Sequence, residues 1–214
     1  LQRLVPTRRL VGVEGVADLL RLLGPSSVDE LCQRTLVEPW RGESRESGAP
    51  AEHGEAQSVE SMESVESPEA ADGRVPPVAA DVVQGWLSAL EGSRRVIRVR
   101  IAGQERWAAV EDAGRLRDAL GTPLPVGVAE AFTEAVADPL GDLVSRHART
   151  HGPFTAASLA QRFGLGVAVV IEALRRLVAA GRLAEGELRP IECGGGQGTD
   201  YCDREVLRTL RRRS

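Results

Sequence analysis

The first regular pattern in the chain is helical. Val16, Leu19, Leu20 and Leu23 fall at i, i+3, i+4, i+7 within VGVEGVADLLRLLG, which predicts one amphipathic helix. Gly24-Pro25 ends it. Ser27 with Glu30 then makes a Ser-x-x-Glu capping box, in which the hydroxyl and the carboxylate each take one orphan N–H. A second, short helix follows through Leu31 and Cys32. Helical spacing returns at Val83, Leu87 and Leu90, with Trp86 beside them. In RRVIRVRIAGQERWAAV the period drops to two. Val96 (or Ile97), Val99, Ile101 and Trp107 surround the turn Ala102-Gly103-Gln104-Glu105, which predicts a two-stranded hairpin. A helix over EDAGRLRDALG and the Pro-rich connector TPLPVGVAEAF come next.

The same order then recurs. After Asp138-Pro139, Leu140, Leu143, Val144, His147 and Ala148 share one helix face, and Gly152-Pro153 stops it. Thr155 is the N-cap expected for a short helix with Leu159 and Phe163 inward. Gly164-Leu165-Gly166 is a turn, and VAVVIEALRRLVAAG is a third helix with Val170, Leu174, Leu177 and Val178 buried. GRLAEGELRP reads as a strand, Cys193 to Asp200 as a flexible hairpin tip, and Tyr201-Cys202 as the returning strand. DREVLRTLRRRS begins another helix, capped by Asp203.

The two cycles align as helix, Gly-Pro turn, short helix, third helix, hairpin. Gly24-Pro25 matches Gly152-Pro153, while Val83, Leu87, Leu90 and Arg95 match Val170, Leu174, Leu177 and Arg182. The first cycle is longer by 41 residues, about the length of a tract rich in Glu, Ser, Ala, Pro and Gly. That tract has too few large apolar residues to offset the entropy of ordering, so disorder is expected there. The expected fold is therefore mainly α with small β-hairpins (α+β). It comprises tandem winged-helix domains, each a helix-turn-helix followed by a hairpin wing, the first interrupted by a disordered acidic insertion. The boundaries are 8–120 for the first domain with the insertion at about 38–77, 121–137 for a connector, and 138–214 for the second domain with the start of a basic helix.

Charge sharpens this division. Residues 38–76 hold ten acids against three arginines, so this tract carries −7 of a formal net charge of −4, and the rest sums to +3. All 27 basic residues are Arg; Lys and Asn are absent. Aromatic residues make up only 3%, so aliphatic packing dominates. No apolar run reaches the roughly 20 residues of a membrane span, and no signal peptide is recognisable. Three cysteines, Cys32, Cys193 and Cys202, lack metal-ligand spacing. Cys193 and Cys202 could face each other across a hairpin, but reduced thiols and a cytoplasmic location are the expectation. The chain opens on Leu1 and stops inside the basic pattern RTLRRRS, as expected of a piece of a longer protein.

Candidate chemistry is confined to arginine. In a winged helix the third helix enters a groove and flanking cations neutralise phosphates. The candidates are Arg162, Arg175, Arg176, Arg182 and Arg189 in the second cycle and Arg95, Arg98 and Arg100 in the first, with Arg94 beside them and Arg211 to Arg213 at the basic end. Each could instead be solvated, or paired with Glu172, Glu185 or Glu187. His147 is expected in the core, and His151 at a helix C-terminus, where a cation suits the dipole. Trp86 and Trp107 are expected in the core rather than stacked on bases. No nucleophile–base set is assembled, and GGGQG at residues 194–198 is not a phosphate loop.

The segments HARTHGPFTAASLAQRFGLGVAVVIEALRRLVAAGRLAEGELRP and TDYCDREVLRTLRRRS, preceded by RVRIAGQERWAAVEDAGRLRDALGTPLP, resemble the large helicase-related (Lhr) family, in the region downstream of its motor. The likeness covers residues 80–214 well and 4–36 more loosely. It implies winged-helix modules in a protein whose motor couples ATP hydrolysis, with Mg, to 3′-to-5′ translocation on DNA and to unwinding, notably of RNA–DNA hybrids, in DNA repair. The family's C-terminal extension resembles the AlkZ family of DNA glycosylases, and a uracil-DNA glycosylase activity is attributed to it in some members. This chain has no Walker A and no DEAD-type box, so it carries no motor and no catalytic residue of the family. The expected role is a nucleic-acid-binding accessory segment without cofactor of its own. Its partners would be single-stranded DNA or an RNA–DNA hybrid and the rest of the parent helicase, with any oligomer formed through that parent and no membrane. The alternatives are a free-standing winged-helix regulator and a packing scaffold beside a glycosylase module.

Overall fold

The structure, a computed structural model, describes residues 4–38, 76–190, 192, 195 and 198–212. The acidic tract expected to be disordered lies outside these, as do Cys193 and Arg213. Among the described residues the fold is α+β: helices packed with small, short-stranded sheets.

The first series begins with β1 (Leu10–Val11) and α1 (Gly12–Leu23). The apolar face of α1 is fully used: Val16, Leu19 and Leu20 are sealed from solvent. In α2 (Val28–Cys32) both bonds of the expected capping box form: Ser27 Oγ accepts from Glu30 N at 3.2 Å and Glu30 Oε2 accepts from Ser27 N at 3.0 Å. β2 (Thr35–Leu36) runs parallel to β1, a pairing that four residues of sequence could not announce. Residues 37–79, of which 39–75 lie outside the described residues, connect β2 to α3 (Ala80–Gly92). The chain is pinned on both sides of that gap: Val78 N donates to Cys32 O at 3.1 Å, and Arg9 donates to Pro76 O at 3.1 Å. The antiparallel hairpin β3 (Val96–Ile101) and β4 (Gln104–Ala109) follows, then α4 (Ala113–Leu120).

The hairpin turn is tighter than expected. Gln104 and Glu105 belong to β4, leaving only Ala102 and Gly103 between the strands, with φ of 51° and 76°. Two left-handed residues suit the twist of a two-residue hairpin loop, and the glycine makes that conformation accessible.

The second series is α5 (Pro139–Thr150), β5 (Phe154–Thr155), α6 (Ala156–Phe163), α7 (Val167–Ala179), β6 (Leu183–Gly186), β7 (Asp200–Asp203) and α8 (Arg204–Arg211). Thr155 and Asp203 both cap as expected, accepting from Ser158 N and from Glu205 N and Val206 N. β6 is shorter than the stretch GRLAEGELRP, because the backbone at Leu188 and Arg189 turns instead to the Asp200 carboxylate. The chain bends by 118° between α6 and α7.

The two series place their helices and closing hairpin in the same order, whereas the parallel β1–β2 pair has no counterpart among the described residues of the second. The residue before the N-cap of the short helix joins the last strand in each: Ser26 bridges Trp107, and Phe154 pairs with Tyr201. They are nevertheless not packed apart. Strand side chains alternate, so Val96, Trp107 and Ala109 fill the core formed by α1, α2 and α3. Ile97, Val99, Ile101 and Ala108 enter the other core, with Leu116 of α4 and the apolar faces of α5, α6 and α7. Val96 and Ile97 are thus both buried, one toward each side. The hairpin is a shared wall.

Polar clamps reinforce this wall. Arg146 of α5 forks onto Asp112, one arm at 2.8 Å, and Asp112 is only 2% exposed. Glu30 receives Arg106 from the hairpin at 3.1 Å and Arg162 from α6 at 2.7 Å.

Candidate nucleic-acid interface

Helix α7, the third helix of the second series, presents two exposed arginines on its outward face. It buries Val170, Ala173, Leu174 and Leu177 and exposes Val167, Ala168, Val169, Glu172, Arg175, Arg176 and Ala179. Val178, expected in the core, sits only partly buried at its edge. The matching helix α3 exposes Asp81, Val82, Gly85, Ser88 and Ala89, with no arginine. The two third helices therefore share a buried pattern and differ in outward chemistry.

The eight candidate arginines separate by what they touch. Arg162 is held by both Glu30 oxygens and by Pro25 O. Arg95 forks onto Glu14 with two contacts of 2.6 Å. Arg189 grips Asp200 at 2.9 and 2.7 Å, and that carboxylate is 1% exposed. Arg98 meets Glu91 at 3.2 Å and lies 4.9 Å above the Trp107 ring. Arg176 makes an exposed pair with Asp138 at 3.3 Å. Arg100, Arg175 and Arg182 are exposed and have no carboxylate partner among the described residues. Glu172, Glu185 and Glu187 form none of these pairs; the partners are remote in sequence, which local spacing could not reveal.

Arg204 sits beside Arg182, its N–H donating to Arg182 O at 3.3 Å. Sequence reading did not single it out. The cue was its place one residue after the Asp203 cap, where its side chain stands exposed. Arg211 and Arg212 are exposed at the end of α8. Arg94 is exposed at φ 58°, beside Glu91 and Val96.

The interior groups are electrostatically settled. Burial pushes Glu30 up, but the hydrogen bond and charge of Arg162, the Ser27 N–H and Arg106 outweigh it, and its pKa lies at about 2. His147 is buried as expected, stacked on His151 at 3.8 Å and edge-on to Phe154 at 4.8 Å. Burial first, then the neighbouring charges of His151 and Arg162, lowers His147 to about 2. His151 falls to about 4, through burial and then Arg162. His151 is therefore neutral near pH 7 and does not supply the expected cation at the α5 terminus, where Arg149 stands in the last turn instead. The His151 ring nitrogen meets His147 O at 3.0 Å and Thr150 Oγ at 2.9 Å. Trp107 is 1% exposed and belongs to the core, while Trp86 packs against its edge. Cys32 and Cys202 are buried free thiols, and burial raises Cys202 to about 11.

This arrangement leaves Arg175, Arg182 and Arg204 exposed as cationic, hydrogen-bonding side chains. A sequence profile described as the winged-helix domain of large helicase-related protein matches residues 52–135, which include α3, the hairpin and α4. A protein of Mycolicibacterium smegmatis named "Lhr helicase/probable uracil glycosylase" is 41% identical over the whole chain, which covers 11% of that protein. Escherichia coli "Lhr helicase/uracil glycosylase" is 37% identical over 83% of the chain, and 9% of its own length is covered. The chain thus spans about a tenth of the length of these curated relatives.

Proposed function

The chain belongs to the large helicase-related (Lhr) family and lies in its winged-helix region, and on that premise we propose that it is a nucleic-acid-binding accessory segment of a longer ATP-dependent DNA helicase. In this reading residues 8–120 and 138–214 are tandem winged helices joined by 121–137, with the acidic tract inserted between α2 and α3 of the first. The repeated element order and the matching Ser26–Trp107 and Phe154–Tyr201 pairings support that division. ATP and Mg belong to the parent's motor, which acts in unwinding and repair in the cytoplasm. The segment holds single-stranded DNA or an RNA–DNA hybrid for that motor, and any oligomer forms through the parent.

The observation that carries the proposal is the unpaired cationic surface of the second series: Arg175 on α7, then Arg182 and Arg204 where the hairpin meets α8. Arg176, in an exposed pair, is available to exchange Asp138 for a phosphate, since such surface pairs contribute little. The experiment is fluorescence anisotropy of labelled single-stranded, duplex and hybrid oligonucleotides, titrated with salt. About three phosphate contacts on a single strand predict roughly 20-fold weaker binding at 200 mM than at 50 mM salt. Arg175→Ala/Arg176→Ala should weaken binding and flatten that dependence. Absence of binding at low salt overturns the proposal. It would favour a packing segment, a reading that draws on the internal ion pairs of Arg95, Arg162 and Arg189.

A further inference from the structure

A recess of about 360 Å³ opens at the start of α6, lined by Thr155, Ala156, Ala157, Arg175, Thr199 and Tyr201. Its floor is unusual for an aliphatic protein. Tyr201 is only 6% exposed, yet its hydroxyl has no hydrogen-bond partner among the described residues. Buried tyrosines ordinarily find one. Tyr201 lines the recess, and its hydroxyl is reached there by solvent, whose place a ligand oxygen would take. Burial, and then the charge of Glu185 opposite it on β6, raise the phenol pKa, with Arg175 acting the other way. The group remains a neutral O–H donor at neutral pH.

The other walls supply donors as well. The first-turn amides of a helix have no intrahelical acceptor. At α6 these belong to Ala156 and Ala157, whose small side chains leave the approach open. Thr155 Oγ accepts from Ser158 N and retains its own proton to donate. Arg175 brings a guanidinium from the outward face of α7 without a carboxylate partner among the described residues. Several donors and the Arg175 charge describe an anion site to which the helix dipole adds, with the exposed Glu185 carboxylate across from Tyr201 as an opposing charge.

We propose that this recess seats one phosphodiester of a nucleic-acid strand, with Arg175 and Tyr201 donating to its non-bridging oxygens beside the N-terminus of α6. The inference rests on the nucleic-acid reading above and locates it. A backbone phosphate, rather than a free one, is favoured because Ile171 and Arg175 continue the recess onto the exposed face of α7. A strand running along the exposed face of α7 past Arg175 would leave one linkage at the recess and its neighbours on α7.

The test uses the full chain, a labelled single strand, and Arg175→Ala, Tyr201→Phe and, as a surface control, Arg117→Ala. Melting curves establish that the variants are folded; Tyr201→Phe retains the packed ring. Loss of one hydrogen bond to a charged acceptor predicts roughly 10-fold weaker binding for Tyr201→Phe with an unchanged salt slope. Arg175→Ala should weaken binding and lower the slope by about 0.7 on a single strand. On a strand of uncharged methylphosphonate linkages, whose remaining phosphoryl oxygen is a weaker acceptor, the gap between wild type and Tyr201→Phe should narrow. If wild type binds the strand and Tyr201→Phe binds it equally well, the recess is not the phosphate seat, while the proposed function stands. If wild type binds no strand at low salt, both fail. Saturable binding of inorganic phosphate by calorimetry, abolished by Tyr201→Phe while strand affinity is unmoved, overturns the proposal in favour of a free-anion site.

Discussion

Glu30 shows how one side chain can serve local and global structure together. Its carboxylate closes the capping box of α2 while binding Arg106 and Arg162 from two other elements. A carboxyl held at about 2 against an ordinary 4.5 contributes stability that is complete above about pH 5 and is lost as the pH falls toward 2. Glu30→Gln should therefore cost about 2–3 kcal/mol at pH 7, read as a lower urea midpoint, and should flatten the pH–stability curve over that acid window. The stacked histidines act in a higher window. His151, at about 4 when folded and 6.5 when free, binds fewer protons folded than unfolded between those values. Stability should thus fall as pH drops from about 6.5 to 4; His147, lowered further, adds a similar share, so His151→Gln should remove roughly half of that decline.

At the scale of elements, the β3–β4 hairpin departs most from its expected role. A wing that contacts nucleic acid is free on at least one face, whereas this one has apolar side chains committed to both cores. Its turn also touches the second series: a Cβ added at Gly164, which caps α6 at φ 68°, would lie 3.0 Å from Ala102 Cα. Gly164→Ala should then destabilise the chain by about 1–2 kcal/mol through the left-handed backbone and that backbone contact, measured as a lower melting temperature. Trp107 anchors the opposite face of the hairpin. Trp107→Ala should cost about 3–5 kcal/mol by leaving a cavity, and it also strips Arg98 of the ring beneath it. The hairpin arginines of the first series are accordingly weaker candidates for phosphate contact than those beside α7.

Across the whole molecule, the shared hairpin and the buried Arg146–Asp112 clamp couple the two halves. In a Trp40→Phe background, tryptophan fluorescence reports the first core through Trp86 and Trp107, while far-UV circular dichroism reports the helices of both. The two signals should melt in one coincident transition, the signature of a single cooperative unit. Asp112→Ala, which strands the Arg146 charge, should lower the midpoint of both signals together by about 3–5 kcal/mol; separate transitions in the Trp40→Phe chain itself would show independent halves.

The sequence alone determined the helices, because the 3.6-residue spacing of Val16, Leu19, Leu20 and Leu23 or of Val170, Leu174 and Leu177 is a local property of the chain. It determined the caps at Ser27, Thr155 and Asp203 for the same reason, since each needs only the next three residues. The repeated order was legible across a 41-residue mismatch because apolar periodicity survives insertion. Tertiary structure alone decided which arginines remain open to solvent. Arg95 finds Glu14 and Arg162 finds Glu30 across 81 and 132 residues, distances at which spacing carries no information. It also decided that Tyr201, read only as part of a returning strand, ends in a recess formed jointly with α6 and α7. A hydroxyl's partner, or its lack of one, depends on packing between elements rather than on neighbours in the chain.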